Sequence, residues 1–377
     1  MRVLLLDGTN RNTLAIARHL GRDHGVEVDV VAHTRRAVSF YSRHVRHRII
    51  CSDPRKSEAD FVKCLLQVIR ERPYDLLMPV GFRTYQICAA HAGVLQEHTR
   101  LIITSASNLA VASNKNATYS LANELGLAVP RTYVLHGPDE IETLSPTMPA
   151  VIKAPFESGI NIVEYAQDRS ELVLRFRSLC ARHGFTPPDL PLVQEYVRGE
   201  GYGYFAYYED GKCLRDFMHH RIREYPVTGG ASSCAEAWSD PALRTLGRRL
   251  LDRLRWDGVA MVEFRKRSDT GEYVLMEINA KFWGSLDLAI VCGVDFPSML
   301  CQRALGEDVP ESTDFELRRF QWILNGELFH LLDRPRALGS IVRDLFRARN
   351  DIWWSDPKPN LFQLALLVDQ FRRKLRR

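Results

Sequence analysis

The 377-residue sequence predicts an α/β protein with a Rossmann-like domain at its N-terminus and a larger antiparallel sheet after it. Apolar strand-like segments alternate with helical patterns through residues 1–112, which is typical of a parallel sheet with crossover helices. Residues 259–264 and 273–279 each alternate at the strand period and flank a polar turn, which predicts a β-hairpin. Residues 311–377 are helical in pattern, with loops, which predicts a helical C-terminal extension.

The Rossmann-like domain is predicted to span residues 1–112. Its elements alternate in this order: a strand at 3–7, a helix at 13–20, a strand at 26–31, a helix at 61–69 and a strand at 75–79. The loop after the first strand has the single glycine Gly8 in place of Gly-x-Gly-x-x-Gly, so we do not expect a dinucleotide site there.

A second domain is predicted over residues 113–310. A helix opens at Lys115 and ends near Gly126. Residues 131–190 read as a small α/β lid, with a buried strand that delivers Lys153 and a later helix that a glycine closes. The remainder of the domain supplies the longer antiparallel sheet, which includes the hairpin.

The hairpin carries carboxylates where a buried strand should be apolar. Folding it about Thr270 sets Glu263 directly across from Glu277, and Asn279 points to the same face. Opposed carboxylates destabilise a sheet unless a cation neutralises them, and Mg²⁺ does so in sites that use ATP. The three residues are therefore predicted metal ligands for Mg²⁺, a type of site that Mn²⁺ can also occupy. The alternative is a register slip of one residue that leaves one carboxylate on the solvent face.

Four parts follow one another along the second domain: the Lys153 strand, a small loop at 156–161, a strand at 192–200 that ends in charged residues and glycine, and the two glutamates. This order resembles the ATP-grasp superfamily, of the carboxylate-amine ligase type. Residues 276–284 (Met-Glu-Ile-Asn-Ala-Lys-Phe-Trp-Gly) are similar to the Glu-Ile-Asn-Pro-Arg-Phe element of the carbamoyl-phosphate-synthetase ATP-binding domain. The resemblance implies the ATP-grasp fold.

The resemblance also implies where ATP binds, between two sheets. Its phosphates would contact Lys153 and Lys115, beneath a flap at residues 157–161 that retains only Gly159 of the family's glycines. The residues implied for the nucleoside are Glu195 and the backbone of Tyr196 and Val197 at the adenine edge, and Glu200 at the ribose hydroxyls. ATP and Mg²⁺ are therefore the expected cofactors.

A basic strand at residues 214–224 is the expected acceptor site. Alternation places His219, Arg221 and Arg223 on one face, and arginine pairs its donors with carboxylates and phosphates. We expect Arg221 and Arg223 to hold the acceptor carboxylate and its acyl phosphate; the alternative is a solvated basic face. Lys281 stands where the family usually has arginine, so it keeps the charge without the paired donors, and it is the third expected catalytic residue.

These features predict an ADP-forming ligase that activates a small carboxylate as an acyl phosphate and joins it to an amine. One alternative is an enzyme that forms an acyl or carbamoyl phosphate without ligation. The other is a nucleotide-binding regulatory protein that does not turn over, although loss of metal ligands would be expected there first.

Composition predicts a cytoplasmic protein. Eight cysteines are scattered without a Cys-x-x-Cys pair, which predicts packing thiols and no disulfide frame. No apolar run approaches the roughly 18 residues that span a bilayer. We expect no nucleic-acid binding, because the basic tail lacks the interleaved aromatic residues of a stacking surface.

The C-terminal tail is basic. Residues 334–377 carry eleven Arg or Lys and four Asp, a difference of +7, and residues 360–371 form an apolar helix candidate. In the simplest interpretation this helix packs on the body of the protein. The alternative is peripheral docking at an anionic inner-membrane surface, with Trp353 and Trp354 at the interface.

Overall fold

The computed structural model describes residues 1–157 and 162–375. Within them, the N-terminal sheet has five parallel strands in the order β3-β2-β1-β4-β5. The strands are β1 (Arg2–Leu5), β2 (Glu27–Ala32), β3 (Val45–Ile50), β4 (Leu76–Met78) and β5 (Arg100–Leu101). The helices between and after them are α1 (Arg11–Asp23), α2 (Glu58–Glu71), α3 (Phe82–Ala90) and α4 (Ala92–Gln96). This parallel sheet with crossover helices confirms the predicted Rossmann-like domain.

Two helices lead to the next sheet: α5 (Ala106–Ser113) and α6 (Lys115–Glu124). The Asn114 side chain begins α6 by accepting hydrogen bonds from the backbone N–H groups of Asn116 and Ala117. Gly126 follows the end of the helix with a φ of +68°. This capping fixes Lys115 as the first residue of a helix, as predicted.

A small antiparallel sheet follows, in the order β6-β9-β7-β8. Its elements are β6 (Thr132–Tyr133), β7 (Ala150–Lys153), β8 (Val163–Ala166), helix α7 (Arg169–His183) and β9 (Leu192–Glu195). Helix α7 buries Leu172, Phe176 and Leu179 against the sheet. Asp168 caps its start, and Gly184 ends it in the left-handed conformation with φ +69°.

The largest sheet of the described residues has seven strands in the order β14-β13-β10-β11-β12-β15-β16. Its strands are β10 (Gly199–Glu209), β11 (Lys212–Tyr225), β12 (Ala231–Ala237), β13 (Gly258–Arg267), β14 (Tyr273–Asn279), β15 (Arg319–Gln321) and β16 (Arg349–Asn350). The helices around it are α8 (Pro241–Arg253), α9 (Leu286–Val291), α10 (Phe296–Leu305), α11 (Leu328–Asp333), α12 (Leu338–Arg347) and α13 (Pro357–Leu375). All strand pairs are antiparallel except β15 with β16.

The C-terminal region is helical, as predicted, and it also adds β15 and β16 to the edge of the large sheet. These strands are only three and two residues long, too short for a period to show in the sequence. Phe320 and Trp322 are buried here in a core that also contains Val3, Leu5 and Phe296. One apolar core therefore joins the N-terminal sheet, the large sheet and the C-terminal region.

Helix α13 packs on the N-terminal domain, as the simplest interpretation of the tail predicted. The Arg18 guanidinium donates to the Asp356 carboxylate at 2.9 Å and to the Asn360 amide oxygen at 2.9 Å. The rings of Phe362 and Tyr41 stack with their centroids 4.2 Å apart. None of the described helices combines the length and apolar character that crossing a bilayer requires.

One cysteine pair departs from the prediction of packing thiols alone. Cys51 and Cys64 form a disulfide that links the end of β3 to α2. Their separation of 13 residues carries no recognisable motif, so the pairing could not be read from spacing. The remaining six cysteines are free.

Candidate active site

A cleft of about 870 Å³ opens where the three sheets meet. Asp7 and Gly81 line it from loops at the carboxyl ends of β1 and β4. Lys153 and Tyr165 line it from the small sheet, and Glu263 lies on its floor in the large sheet. Each sheet therefore contributes side chains to one site.

The metal-ligand hairpin has the predicted opposition at the floor of the cleft. Glu263 pairs directly with Glu277 across β13 and β14, which confirms the predicted register. Nearer the turn, Lys266 pairs with Tyr273, and continuing that offset would have set Glu263 against Met276. A β-bulge at Met276 absorbs the extra residue and brings the glutamates together.

Both glutamates are neutralised by neighbouring groups. The Arg221 guanidinium donates to both oxygens of Glu263, at 3.0 and 2.6 Å. The Asn279 amide donates to Glu277 at 2.9 Å. Burial acts to raise the pKa of Glu277, but Lys115 and the Asn279 amide outweigh it and hold the pKa below its usual value. The two charges are thus balanced by protein groups alone.

The two predicted phosphate-binding lysines line the cleft above this floor. Lys153 ends β7, and its burial lowers its pKa to about 8, a shift that nearby Glu277 opposes. The backbone N–H of Lys115 donates to the carbonyl of Pro155 at 3.0 Å, which ties the start of α6 to the chain just after β7. Residues 158–161 of the predicted phosphate flap, including Gly159, lie outside the described residues.

The predicted adenine hinge follows β9. The Glu195 carboxylate accepts from the backbone N–H of Arg131 at 3.1 Å and from the Arg267 guanidinium. The Tyr196 ring meets Tyr165 edge to face at 5.8 Å. Glu195, Tyr196 and Val197 all line the cleft. Because the Glu195 carboxylate is engaged in bracing the hinge, the backbone is what this segment offers to a base.

Lys281 reaches the cleft beside the metal-ligand hairpin. Its ammonium donates to the Asn279 amide oxygen at 2.8 Å and lies 3.4 Å from a carboxylate oxygen of Glu157. The position therefore carries a cation next to both the floor and the base of the predicted phosphate flap.

Arg223 does not line the cleft, so its expected role as a substrate contact is wrong. Its guanidinium is buried beneath the C-terminal helices, where it donates to Glu327 at 3.0 Å and to Asp344 at 2.7 Å. The register of β11 with β12 shifts between Arg221 and Arg223. This irregularity breaks the simple alternation and turns the two arginines to different environments.

Glu200 points away from the cleft, so its expected ribose contact is also wrong. Its carboxylate accepts from the Tyr202 hydroxyl at 3.3 Å and lies 3.1 Å from a ring nitrogen of His220. Alternation along β10 turns Gly201 to the other face, where a Cβ would lie 2.8 Å from the Arg221 side chain. Glu200 and Tyr202 consequently share the face opposite the cleft.

The cleft residues that were not predicted include Arg265 and Asp7. Arg265 donates to Glu224 at 3.3 Å, and burial raises the pKa of that carboxyl. Arg265 could have been found, because it stands two residues after Glu263 on the same strand face. Asp7 adopts a left-handed φ of +62° and accepts from the backbone N–H of Gly81 at 2.6 Å. The only sequence signal for Asp7 was its position at the end of the first predicted strand.

The donor set of the floor fits a hard divalent cation. Two carboxylates and the Asn279 amide oxygen share one face, and Mg²⁺ takes oxygen ligands from one or two carboxylates together with substrate phosphates. To bind it, Glu263 would exchange part of its contact with Arg221, and Asn279 part of its contact with Lys281. The neighbouring lysines leave a place for polyphosphate beside the cation.

The three-sheet architecture with its central cleft is the ATP-grasp fold, which confirms the predicted fold class. Biotin carboxylase from Campylobacter jejuni matches with a TM-score of 0.68 and 13% identity, over 84% of this chain and 74% of that chain. L-amino acid ligase from Bacillus licheniformis matches at 0.62 and 18%, over 81% and 74%. N5-carboxyaminoimidazole synthetase from Staphylococcus aureus matches at 0.63 and 13%, over 84% and 79%.

Within this class, residues 192–323 match the family described as ATP-grasp in the biosynthetic pathway with Ter operon. The matched segment includes the hinge, the basic strand β11 and the metal-ligand hairpin, and it continues through β15. A comparison with curated proteins finds no match. The predicted resemblance to ATP-grasp proteins is thus confirmed by the fold and by this segment.

Proposed function

We propose that this protein is an ATP- and Mg²⁺-dependent ligase that activates a small carboxylate as an acyl phosphate and joins it to an amine, with release of ADP and phosphate. The observation that carries the proposal is the Glu263–Glu277 pair, which faces a cleft also lined by Lys115 and Lys153. Paired carboxylates beside paired lysines suit a metal-bound polyphosphate better than any other ligand class.

In this proposal the nucleotide lies between the small and large sheets. The backbone of Tyr196 and Val197 would bind the adenine edge, while Lys153 and Lys115 would bind phosphate oxygens. Glu263, Glu277 and Asn279 would hold Mg²⁺ (or Mn²⁺), which when bound neutralises charge that develops on the transferred phosphoryl group. The lysines add positive charge from half-buried positions that line the cleft.

The acceptor carboxylate would bind beside Arg221, Arg265 and Lys281. A carboxylate oxygen attacks the γ-phosphorus as the bond to the β-phosphate oxygen breaks, which yields an acyl phosphate and ADP. The amine then attacks the acyl carbon, the bond to the phosphate oxygen breaks, and the amine loses a proton. Arg221 can serve both steps, because it lines the cleft beside Glu263, where the phosphoryl group would be transferred.

Two further facts support a ligase. The similar folds include proteins named as an amino acid ligase and a carboxyaminoimidazole synthetase. The matched family is described by its place in a biosynthetic pathway. Both are consistent with a small-molecule carboxylate and amine as substrates.

We also propose that the C-terminal region docks on an anionic membrane surface. Helix α12 turns Leu338, Val342, Leu345 and Phe346 to solvent, and Phe346 is 87% exposed. Trp354 is equally exposed, whereas Trp353 is engaged by Arg18 and Arg22 and so is removed from the expected interface. Exposed apolar side chains within residues 334–377, a region of net charge +7, match anionic headgroups above an acyl layer.

The test of the ligase proposal is a screen of small carboxylic acids and amines with Mg-ATP, read as ADP release. Release that requires both an acid and an amine supports ligation. Release with an acid alone, and an acid-derived phosphate that accumulates, would favour the acyl-phosphate-forming alternative. ATP binding without release across the whole screen would favour the non-catalytic regulator.

A further inference from the structure

A second cluster of ligating side chains lies on the outside of the N-terminal domain, and no part of the proposed ligase site uses it. His19 lies in α1, His24 follows the end of that helix, and Asp295 caps the start of α10. The potential ligand atoms of these three residues all lie within 4.8 Å of one another. None of the three lines the cleft.

The His19 ring lies between two carboxylates, those of Asp23 and Asp295. His19 Nδ1 lies 2.7 Å from the Asp23 carboxylate, so this nitrogen carries the ring proton when the imidazole is neutral. His19 Nε2 then presents a lone pair to Asp295 Oδ2, only 2.6 Å away. Two lone pairs at this distance repel unless a proton or a metal ion lies between them.

His24 contacts the same Asp295 oxygen as His19. Its Nε2 lies 2.7 Å from the same Asp295 oxygen and 3.4 Å from His19 Nε2. Burial acts to lower the pKa of His19, but Asp295 and Asp23 outweigh it and raise that pKa. Without a metal, a protonated His19 and a neutral His24 can therefore share the Asp295 oxygen. A divalent cation satisfies all three atoms at once through their lone pairs.

The spacing suits zinc. Tetrahedral bonds of about 2.0–2.1 Å to two imidazole nitrogens put the nitrogens roughly 3.3 Å apart, close to the observed separation. The Asp295 oxygen would have to retreat by about 0.6–0.7 Å from each ring to reach the same tetrahedral edge. The other Asp295 oxygen accepts from the Ser298 backbone N–H at 3.0 Å, so the carboxylate stays oriented during that adjustment.

The surroundings also suit a metal. Asp23 holds the His19 ring in the tautomer that leaves Nε2 free, which is the usual carboxylate support of a metal-bound histidine. Imidazole nitrogens favour zinc and neighbouring transition ions over Mg²⁺. The His24 side chain is 39% exposed, which leaves solvent access for entry and for a water ligand.

We propose that His19, His24 and Asp295 bind a zinc-type divalent cation with three protein ligands and an outer water. The ion would fasten α1 of the N-terminal domain to α10, which lies between β14 and β15 of the large sheet in the sequence. Its role would be to hold these parts of the chain together, and it does not depend on the ligase proposal.

The test uses the untagged full-length chain, stripped with a chelator and titrated with Zn²⁺ by calorimetry. We expect one high-affinity zinc per chain, and a higher melting temperature with zinc than without it. His24→Ala should weaken zinc binding at least about tenfold and abolish the melting shift, because it removes one ligand from a partly exposed position. His183→Ala, which changes an exposed histidine on α7, should behave like the wild type.

Three results would overturn the proposal. The first is wild-type chain that binds no zinc, and the second is equal zinc affinity in wild type and His24→Ala. The third is a melting temperature that responds to pH through His24 but not to zinc, which would show a proton-shared cluster in place of a metal site. His24→Asn, which keeps a polar side chain, separates loss of the ligand from a general loss of folding. Because ADP release is not the readout, failure here leaves the ligase proposal untouched.

Discussion

At the scale of single residues, Glu277 is held in its ionised form by cations before any metal binds. Two glutamates opposed across a hairpin would by themselves be expected to repel, so that removing one charge would stabilise the metal-free protein. Here Arg221 neutralises Glu263, and the lysines around Glu277 lower its pKa. Attraction between Glu277 and the surrounding cations therefore outweighs its repulsion from Glu263, and the negative charge at Glu277 stabilises the fold.

We expect Glu277→Gln to lower Mg-ATP turnover by about a hundredfold or more, since it removes a charged ligand from the metal. It should also lower the melting temperature of the metal-free protein at neutral pH. Because the folded pKa of Glu277 is depressed, its contribution to stability is present above the usual carboxyl pKa and disappears as pH falls through the lower folded value. The melting difference from wild type should therefore shrink in acid.

The matched control is Glu272→Gln, on the exposed turn of the same hairpin. It should leave both turnover and melting near the wild-type values. A Glu277→Gln variant that melts higher than wild type without metal, or that keeps its activity, would contradict the charge balance described for the floor.

Lys153 gives a pH-dependent prediction. Its pKa of about 8 means that the free protein loses this cation as pH rises through 8, so Mg-ATP affinity should fall across that range. Lys153→Ala should weaken ATP roughly tenfold to a hundredfold at pH 7, as expected for a charge-assisted contact. Lys153→Arg should flatten the pH dependence, because arginine stays charged. Calorimetric Kd values from pH 6.5 to 9.5 would measure this.

The stability consequence of Lys153 has the opposite sign. Between its folded pKa of about 8 and the ordinary value of 10.5, the unfolded chain binds more protons than the folded chain. Stability therefore rises with pH in that window in the wild type, and this rise should be smaller in Lys153→Ala. An identical rise in both proteins would mean that the Lys153 ammonium is not desolvated.

At the scale of elements, regular alternation was predictable and its interruptions were not. Helix α6 and the hairpin could be assigned because caps, turn residues and a strand period act over neighbouring residues. The bulge at Met276 favours the predicted opposition of Glu263 and Glu277, whereas the irregularity in β11 separates Arg223 from Arg221. Both depend on the partner strand, so neither can be derived from one strand's own sequence.

Burial of a side chain by distant segments of the chain could not be predicted from the sequence either. Arg223 is buried by side chains more than 100 residues away, Glu327 and Asp344, which the sequence offered no reason to bring together. The face of the sheet that Glu200 occupies could not be predicted either, because a shift of one residue at the start of β10 moves its side chain to the other face.

The exposed face of α12 gives an element-scale prediction. Full-length protein should sediment with vesicles that contain phosphatidylserine at low salt, and less so at moderate salt, because basic residues contribute about 1 kcal/mol each near anionic headgroups. Phe346→Asp should reduce binding strongly. Leu174→Asp, on the exposed face of α7, is the matched control and should bind like wild type. Wild-type protein that stays in the supernatant at low salt would contradict membrane docking.

At the scale of the whole molecule, three sheets supply one cleft, and we propose that functional units at residues 1–112, 113–310 and 311–377 meet around it. The order of motifs indicated this arrangement, because Lys153, Glu195 and Asn279 each end a strand that could be predicted. The C-terminal region could not be placed from sequence. It adds β15 and β16 to the edge of the large sheet. Its helix α13 is bound to the N-terminal domain by hydrogen bonds from Arg18 to Asp356 and Asn360.

The identity of the bond broken in ATP tests the central claim most directly. With an acid and amine that support turnover, phosphorus NMR of the products should show ADP and inorganic phosphate in equal amounts. Oxygen-18 placed in the carboxylate should appear in that phosphate, because the acyl phosphate passes one carboxylate oxygen to it. AMP and pyrophosphate, with the label in AMP, would contradict the acyl-phosphate mechanism and the roles proposed for the cleft.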